Sequence, residues 1–216
     1  MLHPHSKTFL AIECLLLMLA LPLVLTLWLP PKLILPVIWG LAFLCYRALR
    51  VVPGHVGDLP WNRGVLNWAN LKPILLRFAL NAVLLTGLTL WLKPELFLGF
   101  VRQSPAFWAL VMMLYPLLSV VAQEIIFRVY FFARYGALFT TPWVLVAASA
   151  LAFGFAHILF QNWVAPLLCA VGGALFAVTY RRTGSLTLVA LEHALYGDFL
   201  FTLGLGRYFY HGAVGH

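Results

Sequence analysis

Seven runs of apolar residues, each near the roughly twenty that carry a helix across bilayer hydrocarbon, leave this chain few ways to fold. In lipid every backbone polar group must be paired within the protein, and single runs of this length achieve that as helices. The runs cover about 8–29, 33–49, 74–92, 105–135, 142–160, 163–180 and 185–206. The expectation is an all-α, polytopic membrane helix bundle of about seven transmembrane helices. Composition points the same way: 63% of residues are hydrophobic and 9% charged, and the mean hydropathy is +0.96. No ordinary soluble domain has that balance.

Local chemistry sets the boundaries. Pro30 and Pro31 end the first run. Ser104-Pro105 reads as a helix cap followed by a first-turn proline, and opens the fourth run. That run is too long for one straight crossing, and Pro116 is expected to kink it just before Gln123 and Glu124. Residues 51–73 form the longest polar connection; Trp61 and Trp68 suit an interfacial belt and a short surface helix. The start, MLHPHSK, precedes an apolar run too long for a signal-peptide core and without a small-x-small cleavage site, so it reads as a retained first span. Cys14, Cys45 and Cys169 are isolated in apolar stretches and read as packed small residues. There is no internal repeat and no linker. One integral membrane domain covers 1–216, with N-terminal spans over 1–104 and a core of four spans over 105–206.

The formal net charge is +8. No basic run or soluble fold exists to carry nucleic acid, so the excess Lys and Arg read as topological signals. One side of a seven-span bundle collects Lys7, Arg47, Arg50, Arg63, Lys72, Arg134, Arg181 and Arg182; the other holds Lys32, Lys93, Arg102 and Arg207. This asymmetry predicts a cytoplasmic N-terminus and a C-terminus outside. Arg77, one turn into its run, reads as a snorkelling topological residue, and Glu13 as reaching only the interface.

Ionisable groups at bilayer depth are the strongest functional signal, because each costs roughly 2.5–3.5 kcal/mol on insertion scales. Three runs carry them: Glu124 with Arg128, then His157, then Glu192 with His193. Glu124 and Arg128 are four apart and share a helix face, so they can pair. A polar network that only glued the bundle together would return on average about 0.6 kcal/mol per bond, less than the burial costs. A carboxylate and two histidines support two chemistries. A desolvated carboxylate can deprotonate water while one imidazole orients it and the other donates to the oxyanion. The same three groups, Glu124, His157 and His193, are also the ligand types of a catalytic zinc. Both remain open on sequence, and no HExxH spacing favours the metal.

QEIIFR at 123–128, FGFAH at 153–157 and HALYG at 193–197 fall in that order on separate runs. They resemble the EExxxR, FxxxH and HxxxN-type motifs of the CAAX-protease and bacteriocin-processing (Abi) intramembrane endopeptidases. The approach to the third motif, YRRTGSLTLVALEH at 180–193, is also similar. The likeness covers about 105–200. It implies a glutamate-type protease of a bacterial inner membrane, surrounded by lipid, that cleaves a peptide or membrane-protein substrate. Glu124 and Arg128 would take the motif's second glutamate and arginine, with Phe153 opening the second motif. His157 would orient water, and His193 would belong to the oxyanion pocket. Two positions depart from the pattern. The first glutamate is Gln123, which is no base at ordinary pH, and the asparagine-type position is Gly197. On the active reading Glu124 is the base, Gln123 orients water or substrate, and Tyr196 or Asp198 fills the vacated polar role. On the alternative reading the chain is a catalytically inactive membrane binding, immunity or assembly partner. A proton channel or small transporter would need a continuous polar path, and the first three runs supply almost no polar residues.

Overall fold

The computed structural model describes residues 6–52 and 58–209. Most of the MLHPHSK start, residues 53–57 of the long connection and the last part of the tail lie outside the described residues. Among the described residues, seven helices are long and apolar enough to cross a membrane. They are α1 Lys7–Trp28, α2 Pro31–Leu49, α3 Trp68–Leu92, α4 Pro105–Leu138, α5 Pro142–Phe160, α6 Val164–Thr183 and α7 Leu186–Leu203. The chain is thus an all-α integral membrane bundle. Its outer surface carries large apolar side chains such as Leu27, Val83, Trp91 and Met113, as a lipid solvent requires.

Helix ends follow the cap chemistry. Ser6 Oγ accepts the Phe9 N–H at 3.2 Å, and Asn67 Oδ1 accepts the Asn70 N–H at 3.2 Å. Between α6 and α7 the chain turns on Gly184, in the left-handed region with φ 57°, and its N–H closes on the Tyr180 carbonyl at 2.7 Å. Ser185 then caps α7 through the Leu188 N–H.

Two sequence expectations are corrected in the first half. The long connection forms only a single 3-10 turn, Arg63–Val65, among its described residues, and Trp68 already belongs to α3. Pro73 is the sixth residue of that helix, so the Ala69 carbonyl has no i+4 donor. The helix therefore starts six residues before the expected position 74, which sets Arg77 well inside it. Glu13, expected only to reach the interface, ties α1 to the end of α4. It accepts Arg134 Nε at 2.9 Å and Nη2 at 2.7 Å, and the Tyr130 and Tyr135 hydroxyls at 3.0 and 3.1 Å.

α4 ends in a 3-10 turn, Gly136–Leu138, and widens twice before it. Pro116–Val120 and Ile125–Tyr130 are π-helical, on either side of Gln123 and Glu124. Pro116 has no N–H for the i→i−4 ladder, so the first widening starts where the proline demands it. Widened turns offer carbonyls to neighbouring helices. Trp39 Nε1 of α2 donates to the Leu118 carbonyl at 2.7 Å, and Ser149 Oγ of α5 donates to the Phe127 carbonyl at 2.7 Å. Such turns recur at functional sites.

α5 and α6 approach closely on small residues. A Cβ on Gly154 would lie 2.7 Å from Ala170 Cβ and 2.8 Å from the Pro166 carbonyl oxygen. One on Gly173 would meet the Phe153 ring at 3.0 Å and the Ala150 backbone at 3.3 Å. Gly154 and Gly173 therefore form a seam at which only small residues let the two helices approach. The core beside this seam is aromatic, with Phe127, Phe153, Phe176 and Tyr196 buried together.

Candidate functional site in the centre of the bundle

A cavity of about 690 Å³ lies among α2, α3, α4, α5, α6 and α7. Its wall is largely apolar, and the polar groups on it come from several helices. Tyr115, Ser119 and Gln123 come from α4, His157 from α5, His193 and Tyr196 from α7, and Asn81 from α3. On α7, His193, Tyr196 and Gly197 share a face by i, i+3, i+4 spacing.

Glu124 and Arg128 lie behind this wall and do not line it. Both side chains have zero exposure. Glu124 Oε1 is 2.7 Å from His193 Nδ1, and Oε2 is 3.3 Å from Arg128 Nε. The latter pair is within ion-pair range, yet neither atom has an aligned hydrogen bond. Arg128 is held otherwise by its Nη2, which donates to the Gly173 carbonyl at 3.2 Å, and by the Phe153 ring 4.7 Å below its guanidinium carbon. The arginine thus neutralises the carboxylate and clamps α6, and it does not face the cavity.

The oxygen at each Nδ1 fixes the tautomers of the two histidines. Glu124 Oε1 faces His193 Nδ1, so the proton sits there and Nε2 keeps its lone pair. His193 Nε2 is 3.1 Å from the Tyr115 hydroxyl, which donates to it. His157 Nδ1 is 2.7 Å from the Phe153 carbonyl, so its lone pair also lies on Nε2. The Phe153 ring sits between the histidines, 4.7 Å from His157 and 5.4 Å from His193 by ring centroids. Phe176 stacks on His193 at 4.6 Å. Gln123 Nε2 donates to Ser119 Oγ at 2.7 Å, while its Oε1 is buried without a protein partner. A water in the cavity would satisfy that oxygen.

The structure therefore joins Glu124, Arg128, Phe153 and His193 in one contact network and sets Gln123, His157, His193 and Tyr196 around one cavity. It does not bring the Glu124 carboxylate to that cavity; the carboxylate meets the Nδ1 side of the His193 ring, whose other nitrogen faces Tyr115. Asp198 does not line the cavity either, and its Oδ1 has no partner. Among the described residues no three His, Cys, Asp or Glu side chains are grouped to hold a metal ion. The ligand set Glu124, His157, His193 does not fit zinc, because Glu124 approaches His193 from behind and the Nδ1 of His157 faces a backbone carbonyl.

Two polar residues of the site, Tyr115 and Asn81, have no part in the sequence reading, and a third, Arg77, stands elsewhere than expected. Tyr115 stands four residues before Ser119 and eight before Gln123, a stripe visible in the spacing. Arg77, expected to snorkel outwards, instead donates through Nη2 to Glu192 Oε1 at 2.9 Å and to Thr179 Oγ1 at 2.8 Å. Asn81, one turn further on, donates to the Tyr196 hydroxyl at 3.2 Å. Together Arg77 and Asn81 fasten α3 to α6 and α7.

Comparison with known proteins bears on this same segment. No curated protein and no solved structure matches the chain. Residues 105–197 match the family model described as Rce1-like, type II CAAX prenyl endopeptidase Rce1-like. The match runs from the first turn of α4 to Gly197 and contains Tyr115, Gln123, Glu124, Arg128, His157 and His193. Over this segment, somewhat under half of its length, the chain is similar to the Rce1-like family.

Proposed function

We propose that the chain is an intramembrane endopeptidase that cleaves a membrane-associated peptide or protein with a water activated in the central cavity. The observation that carries this reading is the Glu124 Oε1–His193 Nδ1 bond of 2.7 Å, with His193 and His157 both on the cavity wall. His157 Nε2 takes a proton from a water that Gln123 Oε1 holds by its other hydrogen. The water oxygen adds to the scissile carbonyl carbon. The His157 proton then passes to the leaving nitrogen as the C–N bond breaks, giving an acid and an amine. Glu124 is a positioning residue that fixes the tautomer of His193. A cavity with few polar groups in a lipid-facing bundle suits a substrate that arrives through the bilayer.

The setting proposed is a bacterial inner membrane with the N-terminus cytoplasmic. A reporter inserted at the Gly184 turn would then read cytoplasmic, and a periplasmic reading would reverse the orientation. The activity is tested by N-terminal proteomics of membrane fractions, comparing wild type with a Glu124→Gln, His157→Ala double variant present at equal level. New N-termini that depend on the wild-type protein are expected; identical profiles would leave the non-catalytic reading. That second reading has one specific observation in its favour, since the cavity position that Gln123 occupies carries an amide and the neighbouring carboxylate faces away.

A further inference from the structure

Position 197 is glycine where another residue already fills the space. A Cβ built there would fall 2.3 Å from Tyr115 Cε1, 2.4 Å from its hydroxyl oxygen and 2.6 Å from Cζ. The phenol end of Tyr115, from α4, therefore lies in a notch that only a residue without a side chain leaves on α7. The ring is fixed edge-on by Phe201 at 5.2 Å and by His193 at 6.1 Å. Its hydroxyl ends 3.1 Å from His193 Nε2, on the cavity wall.

The bonds of His193 decide what that hydroxyl is. Nδ1 belongs to Glu124, so Nε2 accepts and the phenol donates. The result is an O–H donor parked on an uncharged acceptor in a site with few competing groups. A substrate carbonyl oxygen that builds up negative charge is a better acceptor than a neutral imidazole nitrogen.

We propose that Tyr115 is a catalytic residue: its hydroxyl, admitted by the Gly197 notch and held ready on His193, is the hydrogen-bond donor to the carbonyl oxygen of the amide being cleaved. It keeps its proton throughout, and no bond to it forms or breaks. The proposal rests on the hydrolase reading above. It makes Tyr115 and Gly197 one unit, in which α7 leaves the space and α4 fills it with the phenol.

The test uses the full-length protein in phosphatidylethanolamine–phosphatidylglycerol liposomes. The probe is an internally quenched peptide spanning the bond that membrane-fraction proteomics finds cleaved. Tyr115→Phe keeps the ring in the notch and removes only the donor, so it should lower kcat about 100-fold, with KM and the unfolding midpoint unchanged. Gly197→Ala, which displaces the ring, should lose comparable activity. Tyr115→Ala combined with Gly197→Asn returns a donor to that corner and should regain about tenfold or more over Tyr115→Ala alone. An active wild type with Tyr115→Phe at full kcat, or with a loss in KM alone, overturns the proposal and leaves the hydrolase reading standing. A folded wild type that cleaves nothing in the membrane proteome overturns the hydrolase reading, and the role of Tyr115 falls with it.

Discussion

Glu124 Oε1 lies 2.7 Å from His193 Nδ1, and the same carboxylate is the countercharge of Arg128 at 3.3 Å. One buried acid thus orients a ring that faces the cavity and compensates a cation that does not. Its replacement has two separable effects.

Glu124→Gln should cut cleavage by about 100-fold, because a neutral amide no longer holds the His193 proton on Nδ1, and the ring then stops accepting the Tyr115 hydroxyl at Nε2. It should also lower stability by about 3–5 kcal/mol, since Arg128 is left buried without its partner charge. Unfolding in mixed SDS and mild detergent measures the second effect. Unchanged stability would mean that Phe153 and the Gly173 carbonyl alone compensate the arginine.

Gln123→Glu tests the two functional readings against each other. If His157 takes the proton, wild type cleaves, and the substitution should alter the rate by no more than about tenfold in either direction. Proteolysis that appears only in Gln123→Glu would make the native chain a silent binder. New N-termini in membrane fractions from cells producing each form report the outcome.

Arg77→Met should destabilise the bundle by about 3–5 kcal/mol, because Glu192, fully buried, would lose the Nη2 contact at 2.9 Å. The partner replacement Glu192→Gln, made in the Arg77→Met background, should recover much of that loss by removing the unpaired charge. The same unfolding assay decides. Additive losses would show that the two residues do not compensate each other.

Gly154→Val should lower the unfolding midpoint and separate α5 from α6. Even a Cβ would meet the Pro166 backbone at 2.8 Å, and forced overpacking of this kind costs about 1–3 kcal/mol. Gly87→Ala on α3 is the control, since a Cβ there meets nothing within 4 Å. A normal midpoint for Gly154→Val would contradict the close approach of the two helices.

The spans were readable because lipid permits few structures, and the sites of Glu124, Arg128, His157 and His193 because charge and imidazole are costly at depth. What stayed hidden had no such cost attached. Tyr115 is one aromatic in a run of apolar residues, and its meaning comes from Gly197 on another helix. Arg77 differs from expectation because the apolar run begins at about 74, and an arginine one turn into a run has water within reach. With the start at Trp68, Arg77 stands in the third turn of the helix, and a buried carboxylate is its partner. The direction of Glu124 was also beyond the sequence. Spacing puts an acid on a helix face, but the π turns on either side of it set which neighbour it meets.

Those widened turns have a consequence for how the protein tolerates change. The Trp39 and Ser149 anchors grip α4 by its carbonyl oxygens at Leu118 and Phe127. Every amino acid carries a carbonyl, so residues 118 and 127 can be exchanged without cutting either joint. The vulnerable halves are the indole on α2 and the hydroxyl on α5, and a search for mutational hot spots confined to the fourth crossing would pass over both fastenings that hold its bends in place.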